Sequence, residues 1–155
     1  MYDLFKERIN TTHMQLLNEI GVSEKILIAF LLGWAVAQFS KIIIVLVKEK
    51  DVKTALIATL RSGGMPSGHS AGMVALVTSL GILDGVRTPL FVAVLAITAI
   101  VIYDACNVRY AVGENAKVLK ELSNKNVQVT EGHTVPQVIV GAAIGVAVGL
   151  LVSFC

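Results

Sequence analysis

Two histidines in this 155-residue chain each follow a glycine and each open an apolar run. His69 lies in Ser62-Gly63-Gly64-Met65-Pro66-Ser67-Gly68-His69-Ser70-Ala71-Gly72, and His133 in Glu131-Gly132-His133-Thr134-Val135-Pro136-Gln137. Glycines and serine at the mouth of a helix leave backbone N–H groups unshielded, and the positive end of the helix dipole points the same way. Such a mouth attracts phosphate. Arg61, just ahead of the first stretch, adds a two-pronged donor for phosphate oxygens. Two imidazoles beside a bound phosphate divide the chemistry between them. One attacks phosphorus to form a phosphohistidine, and the other, protonated, donates to the departing alkoxide. Arginines and backbone N–H groups hold the equatorial oxygens as charge develops. No metal or other cofactor is required; two histidines with carboxylates also suit a metal, but the spacing here matches no familiar ligand motif. The plainer use of the same residues is a glycine-rich turn, a serine helix cap and two interfacial histidines.

These groups have to be carried by a very apolar chain. Hydrophobic residues make up 55% and charged ones 15%, with a mean hydropathy of +0.75. Soluble domains carry roughly 25% charged residues, so the composition points to a single-domain integral membrane protein over 1–155. A net charge of +2, with no basic tract interleaved with aromatics, argues against nucleic acid. The polar N-terminus does not read as a signal peptide. Cys106 and Cys155 lie within or beside apolar runs, which argues against a disulfide framework.

A membrane-crossing helix needs about 20 mostly apolar residues. Four segments are expected to cross: 26–47, 67–83, 89–106 and 135–154. Residues 1–22 place Leu4, Phe5, Ile9, Leu16, Leu17 and Ile20 at helical spacing and read as an amphipathic helix lying at the interface. The expected fold is therefore all-α, a bundle of about four transmembrane helices plus that interfacial helix. Lys41, near the end of the first span, reads as a snorkelling side chain. Gly141, Gly145 and Gly149 give the last span a small-residue stripe for close helix approach, within the chain or in a homo-oligomer. Val52 to Leu60 reads as a short amphipathic segment. The loop 107–133 contains a charged helix at Glu114–Glu121.

Four crossings put the start of the second span, the end of the third and the start of the fourth on one membrane face. Ser67, Gly68, His69, Asp104, Arg109 and His133 converge there with Lys53 and Arg61. Asp104 at a span end calls for a partner, and Arg109 is near enough in sequence to be one; it also suits a headgroup anchor. If the first span ends in the cytoplasm, Lys48, Lys50, Lys53, Arg61, Arg109, Lys117, Lys120 and Lys125 lie inside. Only Lys6, Arg8, Lys25 and Arg87 then lie outside, which favours a cytoplasmic active site.

The motifs together resemble a family. Pro66-Ser67-Gly68-His69 looks like a signature of the type 2 phosphatidic acid phosphatase and vanadium-dependent haloperoxidase superfamily. GHTVPQVIVGAAIG (132–145) looks like its third motif. With "GGMPSGHSA" and "YDACNVRYAVG", the chain from about residue 24 to 155 is similar to the divergent short branch of that superfamily. The resemblance implies a nucleophilic His133, a general acid at His69, and phosphate held by Ser67, Gly68 and arginines, with Arg61 and Arg109 as candidates. Three departures stand out. Lys53 and Arg61 are one residue further apart than in the first motif, and Ser62 follows in place of proline. Val127 stands where the third motif's arginine belongs. Gln137 replaces the aspartate that orients the nucleophile, leaving Asp104 or Glu131 to supply that charge.

The implied activity is hydrolysis of a lipid phosphomonoester, with membrane lipids as surroundings. Within the branch the implied substrate is phosphatidylglycerophosphate, converted to phosphatidylglycerol. Polyprenyl diphosphate hydrolysis is the alternative from the same class. A catalytically silent lipid-binding protein and a small transporter subunit are the readings from other classes. Polar residues at span ends rather than midway speak against transport.

Overall fold

The computed structural model describes the backbone of residues 2–54, 56, 63–123 and 132–155, and the side chains of these from Gly21 onward. Every regular element in it is helical: α1 (Tyr2–Glu49), α2 (Gly68–Leu80), α3 (Pro89–Cys106), α4 (Val108–Leu122) and α5 (Val135–Phe154). Three stretches are long and apolar enough to cross a bilayer, namely Gly21–Glu49, Pro89–Leu122 and Val135–Phe154. Only 17%, 11% and 28% of their most apolar windows are buried inside the chain. Side chains such as Phe39, Ile43, Ile100 and Leu151 therefore face outward, where lipid accommodates them and water does not. The molecule is an all-α integral membrane bundle.

The helix boundaries follow local chemistry. Thr88 caps α3 by accepting from the Phe91 N–H at 3.2 Å, and Pro89 fills the first helical position, where no N–H is missed. Thr134 caps α5, with Gln137 closing a reciprocal capping box. Lys50 ends α1 in the left-handed region at φ 53°. The Asp51 carboxylate then accepts from the Thr54 N–H at 2.9 Å and the Thr54 hydroxyl at 2.5 Å.

One sequence expectation changes. The segment 1–22 is not a separate element: α1 runs unbroken through it to Glu49. Gly21 is the weakest helix former at that junction, and one glycine costs only about 1 kcal/mol, too little to break a helix without proline. The segment 67–83 is the helix Gly68–Leu80, continued by a π-helical turn at Gly81–Gly85.

That short helix is the centre of the bundle. α2 packs most extensively against α5 and then α1, and more lightly against α3. The contacts are made by small residues. Ala29, Gly33, Ala37 and Lys41 form a buried stripe on α1 at four-residue spacing. Ala71 and Ala75 of α2 are fully buried. A methyl group on Gly33 would come within 2.8 Å of both Ala71 O and Ala75 Cβ. On the other side, a Cβ on Gly141, Gly145 or Gly149 would lie 2.5, 2.5 or 2.8 Å from the carbonyl oxygens of Ser67, Ala71 and Ala75 respectively. The glycine stripe of α5 is thus filled by α2 of the same chain. Of the two uses the sequence offered for that stripe, close approach within the chain is the one seen here. At the far end, Ser153 Oγ lies 3.1 Å from Ser79 Oγ, and both side chains are buried.

Because α2 and α5 touch backbone to backbone, Gly145→Ala should lower stability by about 1–3 kcal/mol through overpacking. Gly21, where an added methyl group would meet nothing within 4 Å, is the control: Gly21→Ala should leave stability unchanged or raise it by about 0.5–1 kcal/mol. Thermal unfolding of the two variants in detergent checks the contrast. Equal melting temperatures would show that the interface has slack.

Candidate active site

The site residues gather at the end of the bundle where α1 finishes and α2 and α5 begin. Three hydrogen bonds hold this end together. The Ser67 N–H donates to Gln137 O at 3.1 Å, tying the mouth of α2 to the first turn of α5. The His133 N–H donates to Ala105 O at 3.0 Å, tying His133 to the last turn of α3. Lys41 Nζ donates to Gly63 O at 2.8 Å, tying α1 to the glycine loop. Gly132 makes a further close approach: a Cβ there would overlap the backbone of Arg109 and Tyr110 at the start of α4.

Ser67 caps α2. Its Oγ accepts from the Ser70 hydroxyl at 2.9 Å and from the Ser70 N–H at 3.4 Å. Ala71 N–H bonds Ser67 O at 3.0 Å. The N–H groups of Gly68 and His69 precede that first intrahelical bond, so they belong to the open, positive end of the helix. Gly63 and Gly64 have φ of 99° and 79°, a region open to glycine and strained for other residues. Pro66 and Ser67 are fully buried, Gly68 is buried, and His69 is exposed.

His133 is 3% exposed. Its Nδ1 lies 3.2 Å from Gln137 Oε1. The same Oε1 accepts from the Thr134 N–H at 3.2 Å, so this amide atom is the oxygen and Nδ1 faces an acceptor. A neutral ring with its proton on Nδ1 has its lone pair on Nε2, the arrangement a nucleophilic imidazole needs. Burial pushes the His133 imidazole below its usual range. The hydrogen bonds to Gln137 and to the Gly64 backbone pull it partly back, while the positive charges of Lys41 and His69 lower it further.

The sequence-named residues divide as follows. Ser67, Gly68, His69 and His133 come together. Asp104 and Arg109 form an ion pair, Oδ2 to Nε at 2.6 Å, with both side chains partly exposed. Their charges, with that of Lys41, are close enough to act on His69. The carboxylate of Asp104, which with Glu131 was expected to supply charge to His133, thus bonds Arg109, and the group beside His133 Nδ1 is Gln137, whose amide oxygen the α5 capping box aims at residues 133 and 134. Lys53 is exposed in the helical residues 52–54 that follow α1, and its N–H approaches the Asp51 carboxylate. Arg61 and Glu131 lie outside the described residues. Among the described residues, no group of three His, Cys, Asp or Glu side chains gathers closely enough to hold a metal ion.

Lys41 is the residue that sequence reasoning misplaced. It is 4% exposed and reaches the glycine loop rather than the membrane surface. The signal was present in the spacing: Lys41 continues the Ala29-Gly33-Ala37 stripe and so shares the face that packs on α2. Beside it, a cleft of about 490 Å³ opens between α1, the glycine loop and the start of α5.

Comparison with known proteins agrees with this arrangement. The chain is 34% identical over 86 residues to a Bacillus subtilis (strain 168) protein named "Uncharacterized membrane protein YuiD". The match covers 56% of this chain and 53% of that protein, so it spans about half the length of each. No solved structure matches. The family model of the "Divergent PAP2 family" matches residues 22–148, a stretch that takes in the glycine loop, both histidines, Gln137 and most of α5, and the chain belongs to that family.

Proposed function

We propose that this protein is a lipid phosphatase that hydrolyses a phosphomonoester through a phosphohistidine on His133. The observation that carries the reading is a buried imidazole beside the glycine loop and Lys41 whose Nδ1 faces Gln137 Oε1; with the proton on Nδ1, Nε2 is the atom available to attack. Family membership supports a phosphatase-like role in the membrane.

In the first step Nε2 attacks phosphorus and the bond to the lipid alkoxide breaks. His69, protonated, gives its proton to that alkoxide. In the second step water attacks the phosphohistidine, neutral His69 takes a proton from the water, and inorganic phosphate leaves with His133 restored. The Gly68 and His69 N–H groups, Lys41 and Arg109 face the charge that develops on the phosphoryl oxygens, with Arg61 joining them by family resemblance. Asp104 acts through Arg109 as a positioning residue. The substrate we favour is phosphatidylglycerophosphate, with polyprenyl diphosphate as the alternative. The excess of basic residues at this end of the bundle, among them Lys48, Lys50, Lys53 and Arg109, supports a cytoplasmic site. One observation favours a second reading, binding of lipid phosphate without turnover: Gln137 is neutral and stabilises a developing imidazolium less than a carboxylate does.

Inorganic phosphate release by the purified protein in detergent with chelator present tests the reading. Release from phosphatidylglycerophosphate should vanish in His133→Ala; release that persists in that variant would remove His133 from the chemistry. His69→Ala should slow alkoxide-leaving substrates about 10²–10⁴-fold while largely sparing an activated aryl phosphate, whose leaving group needs no proton. A second expectation concerns pH. Lowering the His133 pKa keeps the nucleophile neutral to lower pH, so kcat/KM should fall only as pH drops through a value below the ordinary 6.5. Gln137→Glu puts a negative charge beside the ring and raises that pKa, so the acidic limb should move to higher pH by about one unit or more. A limb that stays in place would show that another group titrates.

A further inference from the structure

α4 carries a surface that the proposed mechanism leaves unused. Val108, Ala111, Val112, Leu119 and Leu122 recur at the spacing of one helix face. Arg109, Glu114, Lys117, Lys120 and Glu121 all fall on the other side. The apolar face is not packed on the bundle. Each of its residues is exposed, Leu119 by 57% and Leu122 by 80%. Among the described helices, α4 packs appreciably only on α3, from which it leads on. The residue that α4 buries, Gly113, lies on the charged side, one turn before Lys117. Near the start of α4, the backbone of Arg109 and Tyr110 meets Gly132.

We infer that α4 lies in the membrane surface, with its apolar face in the boundary between acyl chains and headgroups. Its charged side then faces headgroups and water. The length of α3 sets the level: 18 residues rise about 27 Å, which nearly fills a hydrocarbon layer about 30 Å thick. α4 therefore begins at the edge of that layer. It does not continue through lipid, because its charged residues are each costly in hydrocarbon. Nor does it stand in water, where its valines and leucines would form an uncovered apolar strip. Ile100 and Tyr103, exposed near the end of α3, carry the lipid-facing surface up to this strip, so the same lipid covers both. A helix with one apolar face, one charged face and little net hydrophobicity belongs in that boundary. The placement has a consequence for the site. Gly132 rests on the first turn of α4, and Asp104 pairs with Arg109, so His133 and Arg109 sit at the level of lipid headgroups. What that level means for catalysis rests on the reading of His133 as nucleophile; the placement of α4 does not.

The test is fluorescence quenching in the full chain, reconstituted in phosphatidylcholine vesicles. Trp34 is the sole tryptophan, so a second one is read by difference from the native protein. Leu119→Trp puts the probe on the apolar face, and Lys117→Trp puts it about 160° away on the charged side. Both positions are exposed, so neither substitution fills a packed interface. Leu119→Trp should lose most of its added emission to lipids brominated on acyl carbons near the headgroup, and little to aqueous iodide. Lys117→Trp should show the reverse, and Val112→Trp should repeat the Leu119→Trp result one face-turn nearer α3. Iodide quenching at both 117 and 119 would put α4 in water and overturn the inference. So would quenching of Leu119→Trp chiefly by bromines at the bilayer centre, which would make α4 a continuation of the crossing. Shielding of Leu119→Trp from both iodide and brominated lipid would also overturn it, since protein, such as a second copy, would then cover the face. No turnover is read, so a protein that releases no phosphate would sink the phosphohistidine reading and leave this result standing.

Discussion

The arrangement depends on how narrow the interfaces around α2 are. Gly33 on one side and Gly141, Gly145 and Gly149 on the other bring neighbouring backbones against Ser67, Ala71 and Ala75 with no side chain between them. Without a hydrophobic driving force between helices in lipid, close van der Waals approach of this kind is what holds a bundle together. It also sets registry. Gly141 sits on Ser67 O, so the first turn of α5, with Gln137 in it, falls beside the mouth of α2, and the Ser67–Gln137 backbone bond follows. A slip of one residue in either helix would separate the glycine loop from His133.

Upon that frame the chemistry is arranged by backbone and amide groups more than by charge. The Gln137 side chain closes the α5 cap and, with the same oxygen, meets Nδ1 of His133. A carboxylate in that place would stabilise imidazolium and raise the pKa of the ring; an amide orients it and leaves it less basic. In the proposed mechanism the positive charges for a phosphate come from Lys41, buried against the glycine loop, and from Arg109, which is paired with Asp104 at the surface. The Asp104–Arg109 pair is partly exposed and contributes about 0–1 kcal/mol to stability, so its value lies in where it keeps the guanidinium.

Much of this was legible in the sequence, and what was missed has physical causes. The all-α membrane class followed from apolar runs too long and too poorly charged for a soluble core. The meeting of Ser67, Gly68, His69 and His133 on one face followed from counting crossings, which needs no side-chain geometry. Lys41 was misplaced because a lysine near a span end is ordinarily a snorkel; only its spacing from Ala29, Gly33 and Ala37 reveals the inward face. The continuity of α1 was hidden by a change in polarity near residue 22, since composition alters there while the backbone hydrogen bonding does not. Asp104 was a reasonable orienter by topology. In the structure it pairs with Arg109, while Gln137, four positions on from His133 and fixed by the α5 cap, lies beside the ring.

The central claim is that His133 Nε2 attacks phosphorus. Rapid chemical quench of the protein with a lipid substrate labelled in its terminal phosphate tests it directly, followed by peptide mapping of any protein-bound label. The mechanism predicts transient label on the peptide containing His133, stable to alkali and released by acid, as a phosphoramidate is. Label that passes from lipid to inorganic phosphate without ever residing on the protein, or that resides on another side chain, would contradict it.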